Sequence, residues 1–162
     1  MIDAISHPRA AAALVALGGA AVLGAALAFQ YLGGLAPCEL CYWQRYPFWV
    51  AIPAGALAFA VPAARPYLLA LAGFALAAGA AVAVFHVGVE QQWWQGTQAC
   101  GARAASGSIE ELRARLMAAP VVRCDAPQWA LFGVTMAGYN VVLSGGLALL
   151  AARGAKRAWT ER

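Results

Sequence analysis

The sequence predicts an all-α membrane protein: a four-transmembrane-helix bundle with a short amphipathic helix in its second extracytoplasmic loop. Three observations predict it. The first is that 63% of the 162 residues are hydrophobic and only 11% are charged, whereas soluble domains are roughly one quarter charged. Folded in water, such a chain would leave apolar surface uncovered. The second is a set of four apolar runs, 10–32, 46–64, 66–89 and 129–152. About 20 residues at roughly 1.5 Å rise cross about 30 Å of hydrocarbon, so each run is long enough to span. The third is that the runs contain no Lys, Arg, Asp or Glu, and their one ionisable imidazole is His86, near the exit of the third. The whole chain, 1–162, reads as a single integral domain with outer loops 33–45 and 90–128.

The first run follows Arg9. It exceeds the apolar core of a cleaved signal, and Pro37 occupies a place in Leu35-Ala36-Pro37-Cys38 where lipoprotein processing needs a small residue, so it is expected to remain as a span. The second run contains Pro47 and Pro53, which a membrane helix absorbs when neighbours satisfy the freed carbonyls. The abundant Ala and Gly of all four runs suit close helix contact in lipid. In the long loop, Gln91-Gln92-Trp93-Trp94 has an interfacial character. Further on, Ser108-Ile109-Glu110-Glu111 is a capping box, and Ile109, Leu112 and Leu116 recur at helical spacing. A short helix is expected there, lying on the membrane surface or on protein. In the fourth run Asn140 and Ser144 stand one turn apart and are expected to bond across to a neighbouring helix.

An even number of spans puts both termini on one side, with Arg9, Arg65, Arg153, Lys156, Arg157 and Arg162 against Asp3 and Glu161. The other face balances Arg45, Arg103, Arg113, Arg115 and Arg123 against Glu39, Glu90, Glu110, Glu111 and Asp125. The basic cluster directly after the fourth run sets the orientation: termini cytoplasmic, loops extracytoplasmic. The net charge of +4 includes no interleaving of basic and aromatic residues, so no nucleic-acid partner is expected.

All four cysteines fall outside the runs and on that outer face: Cys38 and Cys41 in the first loop, Cys100 and Cys124 in the second. A Cys-X-X-Cys serves either a dithiol redox centre or a metal. At a helix entrance the two thiols approach closely enough to bridge, and the helix dipole favours a thiolate. Arg45 lies one turn beyond Cys41, where its charge lowers the Cys41 pKa and can hold an electron acceptor; alone, it reads as an interfacial anchor. Cys100 and Cys124 enclose 23 residues, a loop that one disulfide closes, either as a staple or as an exchanging pair. His86 is a proton-relay or ligand candidate, with Glu90 one turn on.

The combination of Pro37-Cys38-Glu39-Leu40-Cys41, Arg45, His86 closing the third span, and the distal Cys100 and Cys124 resembles the DsbB family of disulfide bond formation proteins along the whole chain. The resemblance implies a quinone-dependent protein-disulfide oxidoreductase of the bacterial inner membrane. Its partners would be a DsbA-like, thioredoxin-fold periplasmic protein and the ubiquinone or menaquinone pool. It implies that the partner attacks a Cys100–Cys124 disulfide at Cys100 and that Cys124 then engages Cys38. Cys41, released as a thiolate beside Arg45, would pass electrons to quinone bound by Cys41, Arg45 and His86. No metal is expected.

Three other readings fit the cysteines less well. A Cys₄ zinc protein has no second Cys-X-X-Cys, nor a histidine near the cysteines in sequence, to complete a usual pattern. A vitamin K epoxide reductase-like enzyme reverses the order of its cysteine pairs. A non-enzymatic scaffold would use the disulfides only as staples.

Overall fold

The computed structural model describes residues 7–97 and 122–161. Among these are four long helices and one short one. Helix α1 is Pro8–Tyr31, α2 is Glu39–Trp43, α3 is Tyr46–Ala60, α4 is Arg65–Glu90 and α5 is Met136–Thr160. Helices α1, α3 and α4 begin with proline in their first turn, where its missing N–H costs nothing and its fixed φ suits the helix.

The second run is cut at both ends for local reasons. Val61 precedes Pro62 and is extended (φ −115°, ψ 92°), because the proline ring disfavours helical backbone in the residue before it. Helix α3 therefore stops at Ala60, short of the expected Ala64, and a 3₁₀ turn, Pro62–Ala64, leads into α4. Arg65 Nε donates to the Ala58 carbonyl at 2.8 Å, a cation at the negative end of α3. At the other end, the Cys-X-X-Cys does not open α3 but forms its own short helix, α2.

The fourth run departs further. A helix was expected from Trp129, but it starts at Met136 and continues past Ala152 to Thr160. Residues Ala130–Leu131 and Val134–Thr135 instead pair as antiparallel strands β1 and β2. Phe132 and Gly133, the two loop residues, both have positive φ (51° and 77°), the twist a two-residue hairpin needs. Thr135 ends the hairpin and caps α5, its Oγ1 accepting from the Gly138 N–H at 3.2 Å.

Helices α1 and α4 each pack against α3 and α5, and lie diagonally opposite one another. The end of α1, both ends of the Cys-X-X-Cys segment, the end of α4 and the start of α5 meet at one pole, around a common cavity. At the other pole, Arg9 lies 4.5 Å over the Phe59 ring, and Tyr67 meets Trp159 edge-on. The bundle thus runs up, down, up, down.

Its packing inverts the soluble pattern. The inward positions include Ala11, Ala12, Ala51, Ala54, Ala58, Ala72, Ala83, Ala151 and Ala155, with a few larger residues such as Phe48 and Leu76. Bulk faces outward: Leu17 is 70% exposed, Phe74 77% and Val142 71%. Small residues let helix backbones approach, and outward bulk suits a hydrocarbon solvent. By length and composition, α1 and the Pro62–Glu90 segment are apolar and long enough to cross a membrane.

The interfacial Gln-Gln-Trp-Trp segment folds back on α4. Trp94 Nε1 donates to the Phe85 carbonyl at 2.9 Å, and the Trp94 and Phe85 rings stack with centroids 5.9 Å apart. Gly88 makes room: a Cβ there would meet the indole at 2.0 Å. The expected amphipathic helix around Ser108 lies outside the described residues, as does Cys100.

Candidate functional site

The site is built at the cysteine-bearing pole. Cys38 caps α2, its sulfur accepting from the Cys41 N–H at 3.2 Å. The short helix turns Cys41 back over Cys38, and the Cys38 S–H donates to the Cys41 sulfur at 2.8 Å. Both are free cysteines, whereas Cys124 is disulfide-bonded. Cys38 and Cys124 are buried in one cluster with Leu40 and Val89. Gln128 Nε2 donates to the Ala36 carbonyl at 2.6 Å, clasping the segment after Cys124 to the segment before Cys38.

The electrostatics separate the two thiols. Cys41 is lowered to about 7, chiefly by the hydrogen bond from Cys38 and less by the Arg45 charge, against burial and the Glu90 charge. Cys38 is pushed up, because it spends its proton on that bond and is buried. One proton shared between two sulfurs leaves Cys41 as the thiolate. The sequence attributed that shift to the helix entrance and Arg45; the neighbouring thiol is the larger cause.

Arg45 reaches across to a neighbouring helix. It sits at the cap of α3 and turns back to α1, where Nη1 donates to Gln30 Oε1 and Nη2 to the Ala26 carbonyl at 3.4 Å. Its guanidinium also lies 5.3 Å over the Tyr42 ring. In the segment before the hairpin, Arg123 pairs with Asp125 and holds that carboxyl below its ordinary range, mainly through their hydrogen bonds.

His86 is carried by α4 into the dithiol. Its Nε2 is 3.6 Å from Cys38 Sγ, 3.2 Å from the Cys124 carbonyl oxygen and 3.9 Å from Glu90 Oε1. Its Nδ1 is 2.7 Å from Gln44 Nε2. A buried polar chain continues from there: Asn140 Nδ2 donates to Gln44 Oε1 at 2.7 Å, and Ser144 Oγ to Asn140 Oδ1 at 2.8 Å. Glu90 in turn accepts from Thr135 Oγ1 at 2.6 Å. Asn140 thus crosses to a neighbouring element as the sequence suggested, while Ser144 bonds within its own helix. Gln44 was missed, although a polar residue three positions after Cys41, among aromatics, was the available signal. Cys38, Cys41 and His86 bring their donor atoms within 4.8 Å of one another. The histidine that a metal site lacked in sequence is therefore near in space.

Cys38, Cys41, Gln44, Arg45, His86 and Cys124 line a single cavity of ≈ 310 Å³. Its remaining walls are largely apolar and aromatic, including Phe29, Phe48, Trp129 and Tyr139. A dithiol with one depressed thiol opening on an apolar cavity, with a disulfide-bonded cysteine packed beside it, in a bundle with membrane-length helices, defines a membrane thiol–disulfide oxidoreductase.

Comparison with known proteins gives the family. The family model for disulfide bond formation protein DsbB matches residues 8–153. Disulfide bond formation protein B of Polaromonas naphthalenivorans is 33% identical over 152 residues, 87% of this chain and 87% of that protein. Its counterpart in Dechloromonas aromatica is 32% identical over 149 residues, 86% of this chain and 87% of its own. An uncharacterized protein of Rickettsia prowazekii, RP370, is 25% identical over 125 residues, 75% of this chain and 73% of its own. No solved structure matches. The chain belongs to the DsbB family of disulfide bond formation proteins, and is a disulfide oxidoreductase.

Proposed function

We propose that this protein reoxidises a periplasmic DsbA-like thiol oxidase and delivers the electrons to a membrane quinone, ubiquinone or menaquinone. The observation that carries the proposal is the shared cavity: the thiolate of Cys41, the guanidinium of Arg45 and the imidazole of His86 all border one apolar space large enough for a quinone ring. In this reading the four long helices span the inner membrane, with the termini cytoplasmic and the cysteine loops periplasmic.

The disulfide at Cys124 is proposed to be shared with Cys100. The reduced partner attacks Cys100, forming a mixed disulfide and freeing Cys124 as a thiolate. The cycle starts with Cys38 and Cys41 joined as a disulfide, the oxidised form of the free pair seen here; Cys124, packed beside Cys38, attacks Cys38 and displaces Cys41 as a thiolate. Cys41 is the better leaving group because it departs beside the Arg45 charge, which favours its thiolate. The bound quinone supplies a two-electron, two-proton acceptor. The partner's second thiol then resolves the mixed disulfide, freeing Cys100 to re-form its bond to Cys124 and release Cys38 as a thiolate. Cys38 and Cys41 close their own disulfide as the electron pair passes to the acceptor, with Arg45 at that end of the cavity stabilising negative charge. Overall a dithiol becomes a disulfide as quinone becomes quinol, so atoms and electrons balance.

The test is anaerobic mixing of purified protein, a reduced thioredoxin-fold partner and a soluble quinone, following quinone absorbance. Partner oxidation matched mole for mole by quinone loss is expected. Partner oxidation without quinone loss, or quinone loss in Cys41→Ser protein, would overturn the route.

A further inference from the structure

Two backbone carbonyls, one beside Gln44 and one beside His86, fix the direction of the polar chain. A carbonyl only accepts. Gln44 Nε2 lies 3.2 Å from the Leu40 carbonyl, so that atom must be the amide nitrogen. Its second hydrogen then points at His86 Nδ1, 2.7 Å away, which must be an unprotonated acceptor. At the far side, His86 Nε2 faces the Cys124 carbonyl at 3.2 Å, so it must carry the hydrogen. Asn140 completes the set by donating to the Gln44 oxygen. Every group has one consistent role, and no buried polar side-chain atom among the described residues lacks a partner.

From this we propose that Gln44 is a positioning residue that locks His86 in the Nε2–H tautomer, making His86 a hydrogen-bond donor to the Cys38 sulfur. The Nε2–H is shared between the Cys124 carbonyl and Cys38 Sγ at 3.6 Å. It stabilises negative charge on Cys38 whenever an S–S bond to that atom forms or breaks. It cannot take a proton from Cys38, so the base role open to His86 in sequence is excluded. The same polarity bears on the Cys38–Cys41–His86 donor set, because the ring turns a hydrogen, not a lone pair, toward the sulfurs. The inference rests on Cys38 and Cys41 being the redox pair, but its first readout does not require turnover.

The test is ¹⁵N NMR of the reduced full-length protein labelled at histidine, with His7→Gln to leave one signal set. Unprotonated Nδ1 with protonated Nε2 is expected; protonated Nδ1 would overturn the proposal. In Gln44→Glu the carboxylate can only accept, so Nδ1 should become protonated; an unchanged spectrum would remove Gln44 from the role. Function is read in Cys41→Ser protein, as the rate of Cys38 alkylation by iodoacetamide. His86→Leu should slow it roughly tenfold, the worth of a hydrogen bond to a charged group, and His86→Gln, which keeps an N–H, should restore much of it. An unchanged or faster rate in His86→Leu would overturn the donor assignment.

Discussion

Cys38 and His86 stand 48 residues apart in the chain, yet the sulfur of one lies 3.6 Å from Nε2 of the other. The contact joins the loop helix to the end of α4, and it places the buried thiol of the pair against a ring whose orientation other side chains set. The two cysteines differ in their surroundings. Both border the cavity, but Cys38 is packed among Leu40, Val89 and Cys124, while Cys41 lies beside the Arg45 charge.

The separation of the two thiols gives a pH prediction. Cys41 is held at about 7, below the ordinary thiol value of 9.0. It is a thiol below that midpoint and a thiolate above it. Its alkylation rate should therefore rise as pH increases through about 7 and flatten beyond. Cys38→Ala removes the largest lowering influence and should move the midpoint up toward 9.0. A midpoint that stayed in place would mean that Arg45, not Cys38, sets it.

Arg45 spans from the loop to α1, through Gln30 and the Ala26 carbonyl. Arg45→Met keeps a flexible apolar stem and loses the charge and donors. The apparent quinone KM should rise roughly tenfold, in keeping with the loss of a charge-assisted hydrogen bond. Partner oxidation at the outer loop should be little changed when measured in a single turnover without quinone. An unaltered KM would confine Arg45 to holding α1.

Gly88 is the floor on which Trp94 rests, since a Cβ would sit 2.0 Å from the indole. Gly88→Ala should displace Trp94 and break its bond to the Phe85 carbonyl. The expected cost is about 1–3 kcal/mol, the usual penalty of overpacking. Thermal unfolding in detergent measures it, and a shift in tryptophan emission reports the displaced ring.

Thr135 serves two elements at once, capping α5 and donating to Glu90 at the end of α4. Thr135→Ala should destabilise the protein by about 1 kcal/mol, with up to roughly 2 possible for a cap in a folded protein. Thr135→Ser keeps the hydroxyl and should cost far less. Equal losses in the two variants would assign the effect to the Thr methyl group instead.

Much of this molecule can be read from the chain because lipid-facing helices advertise themselves. The runs after Arg9 and after Arg65 match α1 and α4 within a few residues, since nothing interrupts their apolar composition. The boundaries that moved did so where one residue's backbone preference overruled composition. Val61 gave way to the following proline, and Phe132-Gly133 made a turn inside an apolar stretch that reads as continuous helix. Phe is a poor advertisement for a positive φ, so that hairpin carried little signal. Within the site, Cys38, Cys41 and Arg45 were legible because their spacing is local. The meeting of His86 with Cys38 was not, because it depends on how α4 packs beside the loop. Gln44 was invisible for a similar reason: its importance comes entirely from Leu40, His86 and Asn140 surrounding it.

The alanine-lined seams between helices leave evolution an uneven field. Outward positions such as Leu17, Phe74 and Val142 touch little of the protein and can exchange one oily group for another. Inward methyl groups have nowhere to grow, and any added bulk there would wedge two helices apart. The geometry of the redox pole, tens of ångströms along the bundle from its far end by the rise of α4, is thus hostage to some of the plainest residues in the chain.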